Sequence, residues 1–159
     1  MKAKPGVVEA LNTILTNELT AINQYFVQAR MCQNWGYERL AQQIRAISLD
    51  EMKDTEQLID HILYLDGVPN LQRLNRVQVG ETVLENLQLD LALEQHAVAT
   101  LTEAIALCGE VRDYTTRNIL EEMVRDEETH VDWFETQLET IGQVGVELYL
   151  SQQIKQDEG

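Results

Sequence analysis

Glu127 and His130 stand three residues apart in the stretch Asp126-Glu127-Glu128-Thr129-His130. On a helix they share one face. Leu120, Met123, Phe134, Leu138 and Ile141 continue that face in steps of three and four, the spacing of a buried stripe. A carboxylate and an imidazole therefore occupy places where a helical core holds Leu or Ile. An ionised carboxylate cannot be buried cheaply without a partner, so something must compensate it. The simplest compensator for a Glu-x-x-His pair on an inward face is a metal ion.

The arrangement recurs. Asp50-Glu51-Met52-Lys53-Asp54 precedes the first stretch by 76 residues, and Glu51 and Asp54 lie on the stripe Leu40, Ile44, Ile47, Leu58, Leu65. Glu18 interrupts the stripe Val8, Leu11, Leu15, Ile22, Tyr25, Ala29, and Glu94 interrupts Leu84, Leu87, Leu91, Val98, Leu101, Ile105, Cys108. Glu18 and Glu94 are again 76 residues apart, and each precedes its paired motif by 33. The chain reads as two related halves, each giving one Glu from one helix and Glu-x-x-(Asp/His) from the next. One lone Glu on a stripe is ordinarily a side chain reaching to solvent or to an Arg. Six such residues on four helices at matched offsets point instead to a di-metal site formed by Glu18, Glu51, Asp54, Glu94, Glu127 and His130. Oxygen ligands with imidazole suit iron or manganese, and the lack of thiolates argues against structural zinc.

These residues need long helices to hold them. The chain has 159 residues, the size of one domain (1–159), with two Pro and eight Gly. Long stretches rich in Leu, Ala, Glu and Gln predict an all-α protein. The expected helices cover 7–34, 37–65, 82–108, 113–141 and 144–154, with a polar tail, 155–159, expected to fray. Trp35-Gly36 breaks the first two apart; Gly67 supplies a positive φ in Asp66-Gly67-Val68-Pro69-Asn70; Thr82-Val83-Leu84-Glu85 is a capping box; Gly142 stops the fourth helix. Four helices of about 28 residues, roughly 42 Å long, pack as a bundle. Two short turns and one long crossover make the second and third helices parallel. That is the ferritin-like four-helix bundle, here with a short fifth helix.

Composition removes several function classes. A net charge of −15 opposes binding to nucleic acid and suits attraction of cations, although an acidic surface also serves plain solubility. No run of apolar residues is long enough for a membrane span, and the basic start is followed by Glu9, Asn12, Asn17 and Glu18, so it reads as a helix and not a signal peptide. Cys32 and Cys108 make no disulfide framework and fit a reducing cytoplasm. Trp35 and Trp133 read as packing aromatics, and His61 and His96 as surface or pocket-edge histidines.

Over nearly its whole length the chain resembles a bacterioferritin. The resemblance rests on Leu19-Thr20-Ala21-Ile22-Asn23-Gln24-Tyr25-Phe26, Asp50-Glu51-Met52-Lys53, Gly67-Val68-Pro69-Asn70-Leu71-Gln72 and Glu147-Leu148-Tyr149-Leu150. It implies a hollow octahedral cage of 24 subunits that oxidises Fe(II) at an intrasubunit di-iron centre and stores ferric mineral. It implies Glu18, Glu51, Glu94, Glu127 and His130 as iron ligands, Glu51 and Glu127 bridging both irons, and Tyr25 as an electron donor beside them. It implies that Met52 from two subunits ligates one haem b, whose role with both axial positions filled is electron transfer. Without the resemblance, a single Met is an adaptable packing residue. A small reductant ferredoxin is the family's docking partner.

The chain departs from the family in its second helix. The family has His where this chain has Asp54, and Ala46 and Ile47 replace a His and a Glu that commonly line the inner cage surface. Some bacterioferritins mix two subunit types, so a second reading is a haem-bearing, weakly catalytic member of a mixed cage. A third is a di-iron oxidase or peroxidase acting on a small molecule, which leaves the fifth helix and Met52 without a role.

Overall fold

The computed structural model describes residues 1–154; the polar tail lies outside them. The described residues form helices α1 (Val7–Trp35), α2 (Glu38–Tyr64), α3 (Val83–Glu110), α4 (Tyr114–Val144) and α5 (Val146–Ser151), with no strand. Gly36 ends α1 at φ 90°, a left-handed position where Gly carries no Cβ penalty. Thr82 accepts from the Glu85 N–H (3.2 Å), and the Glu85 side chain reaches back one residue farther than a capping box requires, to the N–H of Glu81 (2.7 Å).

Two turns differ from expectation. The positive φ after α2 belongs to Asp66 (58°), not to Gly67. Gly67 is required by space instead, because a Cβ there would lie 2.8 Å from a Val8 methyl. Gly142 does not stop α4. A single Gly costs only about 1 kcal/mol inside a helix, and α4 continues to Val144 until Gly145, at φ 87°, closes it through its N–H to Ile141 O (2.8 Å).

The crossover lies along α1. Asn12, Thr16, Thr20, Gln24 and Gln28, spaced four apart, form a polar line on that helix. Asn70 N–H donates to Asn12 Oδ1 (2.8 Å), Arg73 Nε to Thr16 Oγ1 (3.0 Å), Asn75 N–H to Thr20 Oγ1 (3.0 Å) and Gln78 N–H to Gln24 Oε1 (3.1 Å). The crossover thus runs from the start of α1 to its end and delivers α3 antiparallel to α1, hence parallel to α2. Gln24 also donates to Asp90 Oδ1 on α3 (2.9 Å), so one side chain ties α1, α3 and the crossover together. These bonds let a long irregular segment satisfy its backbone against a helix.

The core comes in two pieces. One holds Tyr25, Cys32, Leu40, Ile44, Leu87 and Phe134; the other holds Leu11, Leu15, Leu58, Ile62, Leu101 and Met123. On α3 the buried line is Val83, Leu87, Asp90, Glu94, Ala97, Leu101, Ala104, Cys108, so Leu84, Leu91 and Ile105 of the expected stripe sit at its edges, half-buried. Helix α3 is apolar over much of its circumference, and there periodicity alone does not say which line faces inward.

Asp90 is fully buried, and burial pushes its carboxyl up to about 7 from the ordinary 3.8. The folded protein therefore holds a proton that the unfolded chain has released. That contribution to stability is complete below about 3.8 and is lost as pH rises through about 7. Asp90→Asn keeps the acceptor for Gln24 and removes the ionisation. Thermal unfolding should show the variant more stable than the parent at pH 8 and no more stable at pH 4; an equal difference at both pH values contradicts this.

Candidate metal centre

The gap between the two core pieces is filled by the six chemistry-bearing residues. Glu18 follows Leu15 on α1, Glu51 lies between Ile47 and Leu58 on α2, Glu94 between Leu87 and Leu101 on α3, and Glu127 and His130 between Met123 and Phe134 on α4. Each of the four glutamates is 1% exposed, His130 6% and Asp54 8%, which is burial of a degree that charged groups reach only with a partner.

Their ligand atoms fall into two overlapping sets, each within 4.8 Å: Glu51, Glu94, Glu127 with His130, and Glu18, Glu51, Asp54 with Glu127. Glu51 and Glu127 belong to both. His130 Nδ1 faces Glu51 Oε1 (3.0 Å), Glu94 Oε1 (3.6 Å) and Glu127 Oε2 (3.6 Å). Glu18 Oε2, Glu51 Oε2, Asp54 Oδ2, Glu94 Oε2 and both Glu127 oxygens are buried without a hydrogen-bond partner. Such atoms carry a desolvation penalty that a cation would remove. The donor set therefore fits two adjacent metal ions.

The electrostatics point the same way. Burial, then the charges of Glu51 and Glu127, hold Glu18 well above the carboxylate range. Burial and Glu51 push Asp54 up to about 7, and burial pushes Glu94 up to about 8. Burial disfavours charge on His130, but the adjacent carboxylates of Glu127, Glu51 and Glu94 outweigh it and raise its pKa. Without metal, protons hold these like charges together.

Comparison with known proteins agrees with this architecture. A ferritin-like domain matches residues 8–144. The chain is 49% identical to a bacterioferritin of Mycolicibacterium paratuberculosis over 152 residues, 96% of each chain. It is 46% identical to one of Streptomyces coelicolor, across 98% of this chain and 93% of that one. It is 40% identical to one of Brucella melitensis, across 94% and 92%. The chain belongs to the bacterioferritins. Its bundle, crossover and fifth helix are the ferritin-like fold.

Tyr25 is fully buried and donates its hydroxyl to Glu94 Oε1 (2.5 Å). Met52 sits outside the cluster, on the outward face of α2, exposed together with Leu49 one turn away. Trp133 packs edge-on against Phe134 with centroids 5.1 Å apart. Cys32 and Cys108 are buried free thiols, pushed up to about 12 and about 11 by burial. His61 is not a surface histidine. It is buried against Thr116 Oγ1 (2.8 Å), whose hydroxyl donates to Asp113 (2.7 Å), so Nε2 of His61 carries a proton. No described helix is long and apolar enough to cross a membrane.

Asp50 and Asp126 join the site without lying on the apolar stripes that mark the other six. Asp50 Oδ2 lies 3.5 Å from His130 Nε2, and Asp126 adds negative charge beside Asp54. They line a cleft of about 210 Å³ with Lys53, Asp54, Thr129 and His130. The signal was present in the sequence: Asp50 and Asp126 stand at the same 76-residue offset as the glutamates.

A metal ion taken up by this cluster would displace protons from Asp54 and Glu94, whose carboxyls are raised by burial. Zn(II) affinity of the apo-protein should rise as pH goes from 6 to 8, with roughly one or more protons released per ion. Calorimetry in buffers of different ionisation enthalpy measures this, and a buffer-independent heat would contradict it.

Proposed function

We propose that this chain stores iron by oxidising Fe(II) to Fe(III) at the Glu18, Glu51, Asp54, Glu94, Glu127 and His130 centre. The observation that carries the reading is the pair of overlapping ligand sets sharing Glu51 and Glu127. In this reading Glu51 and Glu127 span both metal positions. Glu18 and Asp54 complete one; Glu94 and His130 complete the other. Iron supplies one electron per ion, so two Fe(II) suffice to reduce dioxygen to peroxide, or peroxide to water, with protons taken up. Asp50, acting on His130 Nε2, holds the imidazole with Nδ1 toward the carboxylates. The acidic cleft with Asp50, Asp54 and Asp126 draws cations toward the centre. In this reading Tyr25 supplies an electron, which its hydrogen bond to Glu94 supports. The ferric product is stored in the cavity of a cytoplasmic 24-subunit cage.

The exposed Met52 thioether, with its counterpart from a second subunit, would hold haem b, which would supply electron transfer with a ferredoxin as donor. Met52→Leu should abolish the haem absorption bands while leaving assembly intact; bands that persist unchanged would sink the assignment.

Asp54 favours a second reading, a haem-bearing and weakly catalytic partner in a mixed cage, because it removes one imidazole from the family's ligand set. Fe(II) oxidation by stopped-flow absorbance separates the two. If the parent is the catalytic subunit, Asp54→Ala slows oxidation about tenfold to a hundredfold. If Asp54→Ala matches the parent and Asp54→His is many-fold faster, the mixed-cage reading stands.

A further inference from the structure

The two metal positions are not equivalent in chemistry. The backbone repeat makes them counterparts: Glu18 matches Glu94, Glu51 matches Glu127, and Asp54 matches His130 at the same offset. Because Glu51 and Glu127 are common to both sets, the positions differ only in their terminal ligands. One ends in Glu18 and Asp54, two anionic oxygens. The other ends in Glu94 and His130, one anionic oxygen and one neutral nitrogen.

The surroundings widen the difference. His130 has Asp50 beside its Nε2 at 3.5 Å, the carboxylate support that fixes a metal-ligating imidazole and raises its basicity. Asp54 is itself a carboxylate and faces the negative charges of Asp126 and Asp50. Glu18 Oε2 and Asp54 Oδ2, both on residues more than nine-tenths buried, have no partner, as Glu94 Oε2 has none in the other half, but only the Glu18–Asp54 half consists of carboxylate oxygens alone. Oxygen-only sites suit the harder divalent ions, manganese and magnesium, whereas imidazole shifts preference toward iron and the later metals.

We propose that the two positions select different metals: the Glu18–Asp54 position prefers Mn(II) relative to its neighbour, and the Glu94–His130 position holds iron, so that the protein assembles a mixed manganese–iron centre when both ions are present. The inference rests on the two-metal reading above. It gives Asp54 a role of its own, as a selector of the second ion. Asp54 accordingly need not lower metal occupancy, only change which ion is held.

The test loads the assembled apo-protein anaerobically with equal concentrations of Mn(II) and Fe(II), then reads each position by anomalous diffraction on either side of the two metal absorption edges. The expected result is a manganese-to-iron ratio several-fold higher at the Glu18–Asp54 position than at the Glu94–His130 position. Asp54→His should bring the two ratios together, and His130→Asp should raise manganese at the other position; either swap alone is sufficient if the second fails to assemble. Equal ratios at the two positions of the parent overturn the inference while leaving the two-metal reading intact. Absence of metal from both positions would overturn that reading itself.

Discussion

Five carboxylates and one imidazole divide a hydrophobic core into two, and the bundle is organised around keeping them there. Burying that many acidic groups is unfavourable by itself. Dispersion and apolar burial above and below the layer hold the helices at fixed distances, so the carboxylates cannot move apart to relieve one another. What remains to them is to share protons or to accept cations. The raised pKa values of Glu18, Asp54 and Glu94 express the first state, and the unpartnered oxygens mark readiness for the second. Crowding these carboxylates without partners is what would give such a fold metal affinity.

The polar line on α1 solves a different problem. A bundle with one long crossover must attach an irregular segment to a helix surface without leaving backbone groups unpaired. Amide and hydroxyl side chains from Asn12 to Gln28 do this, and Gln24 carries the register through to Asp90 on α3, one turn from Glu94. The placement of Glu94 in the buried cluster therefore depends on side chains outside that cluster.

Much of this was legible in the sequence, for a physical reason. A charged residue on an apolar stripe is an anomaly that periodicity exposes, and repetition of the anomaly at one offset makes coincidence a poor account. Glu18, Glu51, Asp54, Glu94, Glu127 and His130 all emerged this way. Gln24 and Gln28 did not, because they lie on a second buried line of α1 that carries few apolar residues to frame them, and Asp90 did not, because the stripe that periodicity marks on α3 runs through Leu84 and Leu91 instead of the inward line. His61 escaped for the opposite reason: a single polar residue near a helix end looks like a surface residue until a partner from a distant helix, Thr116, closes on it. Glycines misled where sequence cannot tell a tight contact from a left-handed turn, as at Gly67, or a tolerated helical residue from a stop, as at Gly142. On α3, an excess of apolar residues hid the true inward line.

The account stands or falls on whether the buried layer holds two ions. Equilibrium titration of the apo-protein with Fe(II) under strict exclusion of oxygen measures this directly. Two Fe(II) per subunit should bind tightly, saturating before any weaker surface binding. Binding of one ion or none per subunit would contradict it.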